Sequence, residues 1–245
     1  KNNDKSENLK EKLKQALSST ARVISDNLTL NEKLAQKKNS EKFNFFDLEN
    51  LNSKNDFIKA RAEFDSLALK KKFSNEEIFI KNMPSNSSCK SLYSVTEKIR
   101  YESLGCKMLK GVEKNLKDNY RKFIDLKKKD QLKTKEDVPI VEAFELYMLK
   151  KFLNIELNSL SKNILHFWEK DFDQAIEKHI KFLKENMEYQ NQYSSKFSEI
   201  LKEMEIFQNE DNEENKEENQ EDGQNNPSND DQSSDSEDQK DQNND

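Results

Sequence analysis

Glycine, proline and cysteine are almost missing from this chain. Its 245 residues hold three glycines, three prolines and two cysteines, and each shortage removes a class of structure. Three scattered glycines cannot build a phosphate-cradling loop and no G-x-x-x-x-G-K-[ST] occurs, so ATP hydrolysis by the P-loop route is excluded for this chain. Scarce glycine and proline, with abundant lysine, glutamate and leucine, leave little to interrupt helices. Cys89 falls in a polar connection and Cys106 on an expected helix. Reduced thiols are the plain reading, with a Cys89–Cys106 disulfide as the alternative. There is no paired C-x-x-C and no H-E-x-x-H, and His166 and His179 stand about 220° apart round a continuous helix, so no zinc site is expected. No stretch approaches ~18 apolar residues, and the opening KNNDKSENLKEK has no apolar h-region. Neither membrane spanning nor export is indicated, and the expected location is cytoplasmic.

Apolar residues vanish altogether after about residue 207. From Gln208 to Asp245 there is no Ala, Val, Ile, Leu, Met, Phe, Trp, Tyr or Cys, and fifteen acidic residues face two lysines. That leaves the tail at −13 and, with −6 overall, the body at +7. A segment without apolar area cannot offset the entropy of ordering, so residues 208–245 are expected to be a disordered acidic linker or tail. Its DQSSDSEDQKD run has Ser236 where a calcium-binding loop needs glycine. Residues 1–207 are expected to form a helical N-terminal domain, mainly α, as an irregular multi-helix bundle.

Within that body, Leu9, Leu13, Ala16, Leu17 and Val23 or Ile24 predict a helix over about 6–25, and Ile58, Ala62, Leu67 and Leu69 another over about 56–73. Between them FNFF allows a short strand or hairpin. Ser91 or Ser94 is a candidate cap for a central helix running to about Leu126 with a break near Gly111. Pro139 opens a helix over about 138–152. A long helical region through Leu165, Trp168, Phe172, Ile176, Ile180, Leu183 and Met187 follows, then a last helix through Phe197, Ile200, Leu201, Met204 and Phe207.

The central segment, Thr96 to Leu116, holds two of the three glycines and has two sides to satisfy. Val95, Ile99, Cys106, Leu109, Val112 and Leu116 form the expected core stripe, with the carboxylate of Glu102 in its middle. Glu97, Arg100, Leu104, Gly111 and Asn115 gather on roughly the opposite face, which is read as a docking surface. Glycine inside a helix costs about 1 kcal/mol relative to alanine and is kept for close backbone approach. Gly105 is therefore a structural candidate at the edge of the core, and Gly111 a place where another backbone comes near. Glu102 is expected to pair with a core arginine. Glu102 and Cys106, four residues apart, share a face, but two residues do not make a metal site. Only four arginines occur, Arg22, Arg61, Arg100 and Arg121, and Arg100 with Glu97, at i and i+3, is the simplest bidentate pair.

The run Glu97, Arg100, Glu102, Gly105, Lys110, Gly111, Val112, Asn115, Leu116 resembles the N-terminal region of the CobT subunit of aerobic cobaltochelatase. Asp65-Ser-Leu-Ala-Leu-Lys is similar to that family's D-S-M-A-L-R, and Val141-Glu-Ala-Phe-Glu-Leu and the Trp168 neighbourhood fall in the matching order. Leu109 stands where the family has methionine, and Met108 where it has arginine. The resemblance implies a non-ATPase adaptor in a three-component machine with an AAA+ ATPase subunit and a large tetrapyrrole-binding subunit, inserting cobalt into hydrogenobyrinic acid a,c-diamide at the expense of ATP. ATP with Mg, and cobalt, then belong to the complex, and no cofactor or catalytic residue is expected on this chain. Self-association is expected as well. The chain begins without methionine and stops inside an acidic run, as a piece of a longer protein would. In the family such a linker leads into a C-terminal von Willebrand factor A domain, which these residues do not include. Two other classes fit the composition: a basic nucleic-acid-binding body whose acidic tail competes for the same surface, though the lysines are spread rather than striped, and a helical scaffold with a solubilising tail.

Overall fold

The computed structural model describes residues 2–25, 53–126 and 134–204. FNFF, the lysines at 127–129 and the acidic tail lie outside the described residues. The chain divides into two units, residues 1–208 and 209–245, and all the described residues belong to the first.

Every regular element among the described residues is helical, as the composition requires. In chain order they are α1 (Asn2–Ser25), α2 (Lys54–Phe73), α3 (Glu76–Lys81), α4 (Ser87–Met108), α5 (Lys110–Leu126), α6 (Ile140–Phe152), α7 (Ser159–His166), α8 (Glu169–Ile176), a 3-10 turn (Glu177–His179), α9 (Ile180–Glu185) and α10 (Gln190–Glu203). None is long and apolar enough to cross a membrane. α1 packs on α2, α2 lies against α4 and α5, and α4 also meets α6 and α10, which makes α4 the central element.

Side-chain caps mark several of the helix starts. Ser53 accepts from the Asp56 N–H while the Asp56 carboxylate accepts from the Ser53 N–H, a reciprocal capping box for α2. Asn75 and Asn158 cap α3 and α7. The cap of α4 is Asn86, whose Oδ1 accepts from the Cys89 N–H at 3.0 Å. Ser91 and Ser94 lie inside that helix, bonding back to the carbonyls four residues earlier. Pro139 stands at the N-cap of α6, one residue before the helix. α6 ends on Asn154, whose φ of 53° is the left-handed conformation asparagine tolerates at a helix terminus, and the next N–H reaches back to the Leu149 carbonyl.

One break falls close to the sequence expectation of a break near Gly111, and a second set departs from it. The central helix stops at Leu109, in extended conformation (φ −135°, ψ 112°), two residues before Gly111. The expected long helix after Asn154 is instead three short helices and a 3-10 turn that wrap an aromatic cluster. Phe172, fully buried, meets Phe144 edge-on at 5.3 Å and Tyr147 at 5.4 Å. Trp168 is fixed by its indole N–H on the Val138 carbonyl.

Candidate functional site

Being central, α4 has little face left for solvent. From Thr96 to Cys106 every residue is buried except Lys98. The sequence placed Glu97, Arg100 and Leu104 on an outward docking surface, and the structure corrects this: they are 4 %, 0 % and 6 % exposed. α10 and the end of α2 cover the side opposite the core stripe, so a residue facing away from one set of helices faces into another.

Two polar clusters occupy the interior around α4. In the first, the Arg100 guanidinium grips the Glu97 carboxylate through Nε and Nη2, each at 2.8 Å. Its remaining donors reach two peptide carbonyls from elsewhere: Nη2 to Phe73 at 2.5 Å and Nη1 to Met187 at 2.8 Å. Phe73 is the last residue of α2, and Met187 lies just beyond α9. A helix leaves its final carbonyls without partners and concentrates partial negative charge there, so the buried cation serves the end of α2 as well as the turn that follows α9. Glu97 also accepts from Ser74 Oγ and from Gln190 Nε2 at 3.1 Å. Gln190 in turn exchanges two hydrogen bonds with the Asn75 backbone, and Tyr193 donates to the Thr96 carbonyl. The charge pair is thereby compensated in place, which is the condition for burying it.

The second cluster joins α2, α4 and α5. Glu102, 1 % exposed, accepts from Ser66 Oγ at 2.6 Å on one carboxylate oxygen and from the Tyr120 hydroxyl at 2.5 Å on the other. The expected core arginine is therefore replaced by two hydroxyls, because the buried arginine is committed to Glu97. Burial raises the Glu102 pKa against the opposing pull of Lys98 and the two hydroxyls, and the same surroundings raise Tyr120. Beside it Asn115 donates to Asp65 at 2.7 Å, and burial raises that carboxyl as well. Asn115, also expected on a docking face, is half-buried and internal in its bonding.

The glycines divide in the same way. A Cβ on Gly105 would stand 2.3 Å from Leu69 Cδ1, so α2 and α4 touch there because a side chain is missing. At Gly111 the same Cβ would meet nothing within 4 Å. Of the five docking candidates, Gly111 alone is exposed.

Neither cluster gathers the ligands of a metal site. Cys106 is a free, buried thiol pushed up to about 12, by burial first and then by the Glu102 carboxylate, which keeps it protonated and a poor ligand. Cys89 is likewise a buried thiol, and no disulfide joins the two. Among the described residues no group of three or more His, Cys, Asp or Glu is placed to hold a metal ion. What the clusters do is lock α2, α4, α5 and the start of α10 to one another through groups that tolerate little displacement. Sequence reasoning overlooked Ser66, Ser74, Tyr120 and Gln190 as partners. Only Ser66 carried a signal, lying beside Asp65 in its own short motif.

No curated protein and no solved structure matches the chain. The family described as cobalamin biosynthesis protein CobT matches residues 7–245. That span contains every residue of both buried clusters and continues through the acidic tail, so the chain belongs to the CobT family of cobalamin biosynthesis proteins.

Proposed function

We propose that this chain is the adaptor region of an ATP-dependent cobaltochelatase, standing between an AAA+ ATPase subunit and a large tetrapyrrole-binding subunit, the three together inserting cobalt into hydrogenobyrinic acid a,c-diamide. The family match over residues 7–245 carries this reading. The chain has no phosphate-binding loop of its own, so ATP is spent by a partner and its work must be passed on through contacts. An interior held by directional, charge-assisted bonds suits that task, since a body with one defined arrangement transmits displacement without absorbing it. Cobalt and the tetrapyrrole are cargo of the complex, met on the large subunit.

The test is reconstitution from purified components. Chelatase activity is expected only when this protein, the ATPase subunit, the large subunit and ATP are all present, and this protein alone is expected to hydrolyse no ATP. Full activity without it, or failure to associate with either subunit, would overturn the proposal.

A further inference from the structure

α5 closes the second buried cluster with a narrow stripe, since Val112, Leu116, Tyr120 and Ile124 are its buried residues, one in each turn. A single extended residue, Leu109, joins it to α4. The Leu109 N–H bonds back to the Gly105 carbonyl and so belongs to the end of α4, while its carbonyl accepts from the Glu113 N–H and so belongs to the start of α5. Rotation about the Leu109 φ and ψ therefore moves one helix against the other without breaking either bond, which is what a hinge requires. Two of the ties that hold α5 down end on buried carboxyls of different helices, Tyr120 on Glu102 of α4 and Asn115 on Asp65 of α2. Near its far end Asn158 donates to the Ile124 carbonyl at 3.1 Å. Unlike Glu97, neither carboxyl has a buried cation against it. Glu102 is faced by Ser66 from α2, Tyr120 from α5, Lys98 and Cys106 from α4 and Glu145 from α6. Lys98 is half-buried and already engaged, 3.6 Å from the Glu145 carboxylate and over the Tyr120 ring at 5.4 Å. Asp65 is faced by Asn115 and by Arg61, which is exposed.

We propose that α5 is a proton-operated cover: with Glu102 and Asp65 protonated it lies shut over the end of α4, and their ionisation releases it to swing about Leu109. A carboxylate without a buried cation needs water, and the helix whose removal admits water is the one that carries Tyr120 and Asn115. Burial raises both carboxyls above their ordinary range, so the shut form holds its protons more tightly than the open form. Opening is therefore favoured as pH rises from the ordinary carboxylate range through the raised values of the shut form. The Glu97–Arg100 cluster is compensated in place, so the α4–α10 side stays closed over the same range. Cys106 lies under the cover: Glu113, Lys117 and Lys110 of α5 all act on its thiol, which is 8 % exposed. Opening exposes that sulfur. The device does not depend on the adaptor reading.

The experiment follows amide exchange of the full chain from the ordinary carboxylate range to above neutral pH, expressed as protection factors so that the intrinsic pH dependence of exchange drops out. Protection over residues 114–124 should fall as pH rises, by up to about tenfold per pH unit for each proton released, while protection in α6 and α10 holds. Glu102→Gln should flatten most of that slope, and adding Asp65→Asn should remove the rest. In a Cys89→Ser background, labelling of Cys106 relative to the unfolded chain at the same pH should rise in step with the loss of protection in α5. Protection in α5 that is independent of pH would overturn the cover. So would a fall shared equally by α4, α6 and α10, which is unfolding of the whole body, or a slope that survives in the double variant. Cys106 labelling that stays constant while α5 opens would also count against it, because the helix would then not lie over the end of α4. Should the double variant fail to fold, the slope in the unaltered chain and its confinement to α5 decide the matter alone.

Discussion

Arg100 owes its position to geometry that no other side chain reproduces. A guanidinium presents donors along two edges of a plane, so it can hold a carboxylate with one edge and still reach carbonyls from two separate segments of the chain. Lysine offers three donors from a single nitrogen and could not span Phe73, Met187 and both Glu97 oxygens. Removing the cation leaves Glu97 buried with only Ser74 and Gln190 to stabilise it. Arg100→Met should therefore destabilise the protein by about 3–5 kcal/mol, read as a shift in denaturant midpoint. The sequence reading, with Arg100 at the surface, requires instead a charge reversal that spares the fold. Normal stability in Arg100→Met would restore that reading. Gly105→Ala tests the second tight spot. Leu69 is fully buried and has nowhere to retreat, so a cost of about 1–3 kcal/mol is expected from overpacking, again by denaturant titration.

Helix ends decide which elements could be read from the sequence. α1 and α2 fall close to the spans that their apolar residues predict, and at α2 a capping box marks the boundary in the residues themselves. α4 begins earlier than its apolar pattern suggests because the cap is Asn86, in the turn-rich stretch before it, and not a serine further on. Asn86→Ala should cost about 1 kcal/mol and lower helicity at the start of α4, visible as faster amide exchange over residues 87–91 than over the middle of the helix. Equal protection in both proteins would show that packing alone fixes that end. Gly111 marked the break at Leu109 to within two residues, whereas the divisions around Trp168 and His179 left no sequence mark. Trp168, His179 and Tyr189 stand at helix starts without any side-chain cap. At Trp168 the turn is held from elsewhere in the fold, by the indole N–H on the Val138 carbonyl, which is a tertiary cause. The same limit applied to α4. Helical angles group Glu97, Arg100 and Leu104 correctly on one side, but only the neighbouring elements reveal that this side is covered too.

For the folded body taken together, buried carboxylates tie stability to pH in a direction opposite to that of surface ion pairs. Glu113 and Glu199, held by lysines, have lowered pKa values. Their contributions are present above the ordinary carboxylate range and fade as pH falls. Glu102 and Asp65 are raised, so the native state holds a proton more tightly than the unfolded chain does. Their contribution is full below the unfolded value and is lost as pH rises through the folded one. His179, lowered chiefly by burial, works the other way, its contribution fading as pH falls through its folded value, so the total profile mixes signs and only a difference isolates Glu102. Glu102→Gln supplies that difference. A glutamine fits between Ser66 and Tyr120 because each hydroxyl can donate to its oxygen or accept from its amide. Denaturant midpoints should be nearly equal for the two proteins at the acid end of the window, near the unfolded carboxylate pKa. Towards neutral pH the wild type should fall progressively below the variant, which carries no charge to bury. A variant less stable than wild type by the same amount at every pH would mean that Glu102 contributes only shape and hydrogen bonds, and that the charge it carries in water is never an issue in the fold.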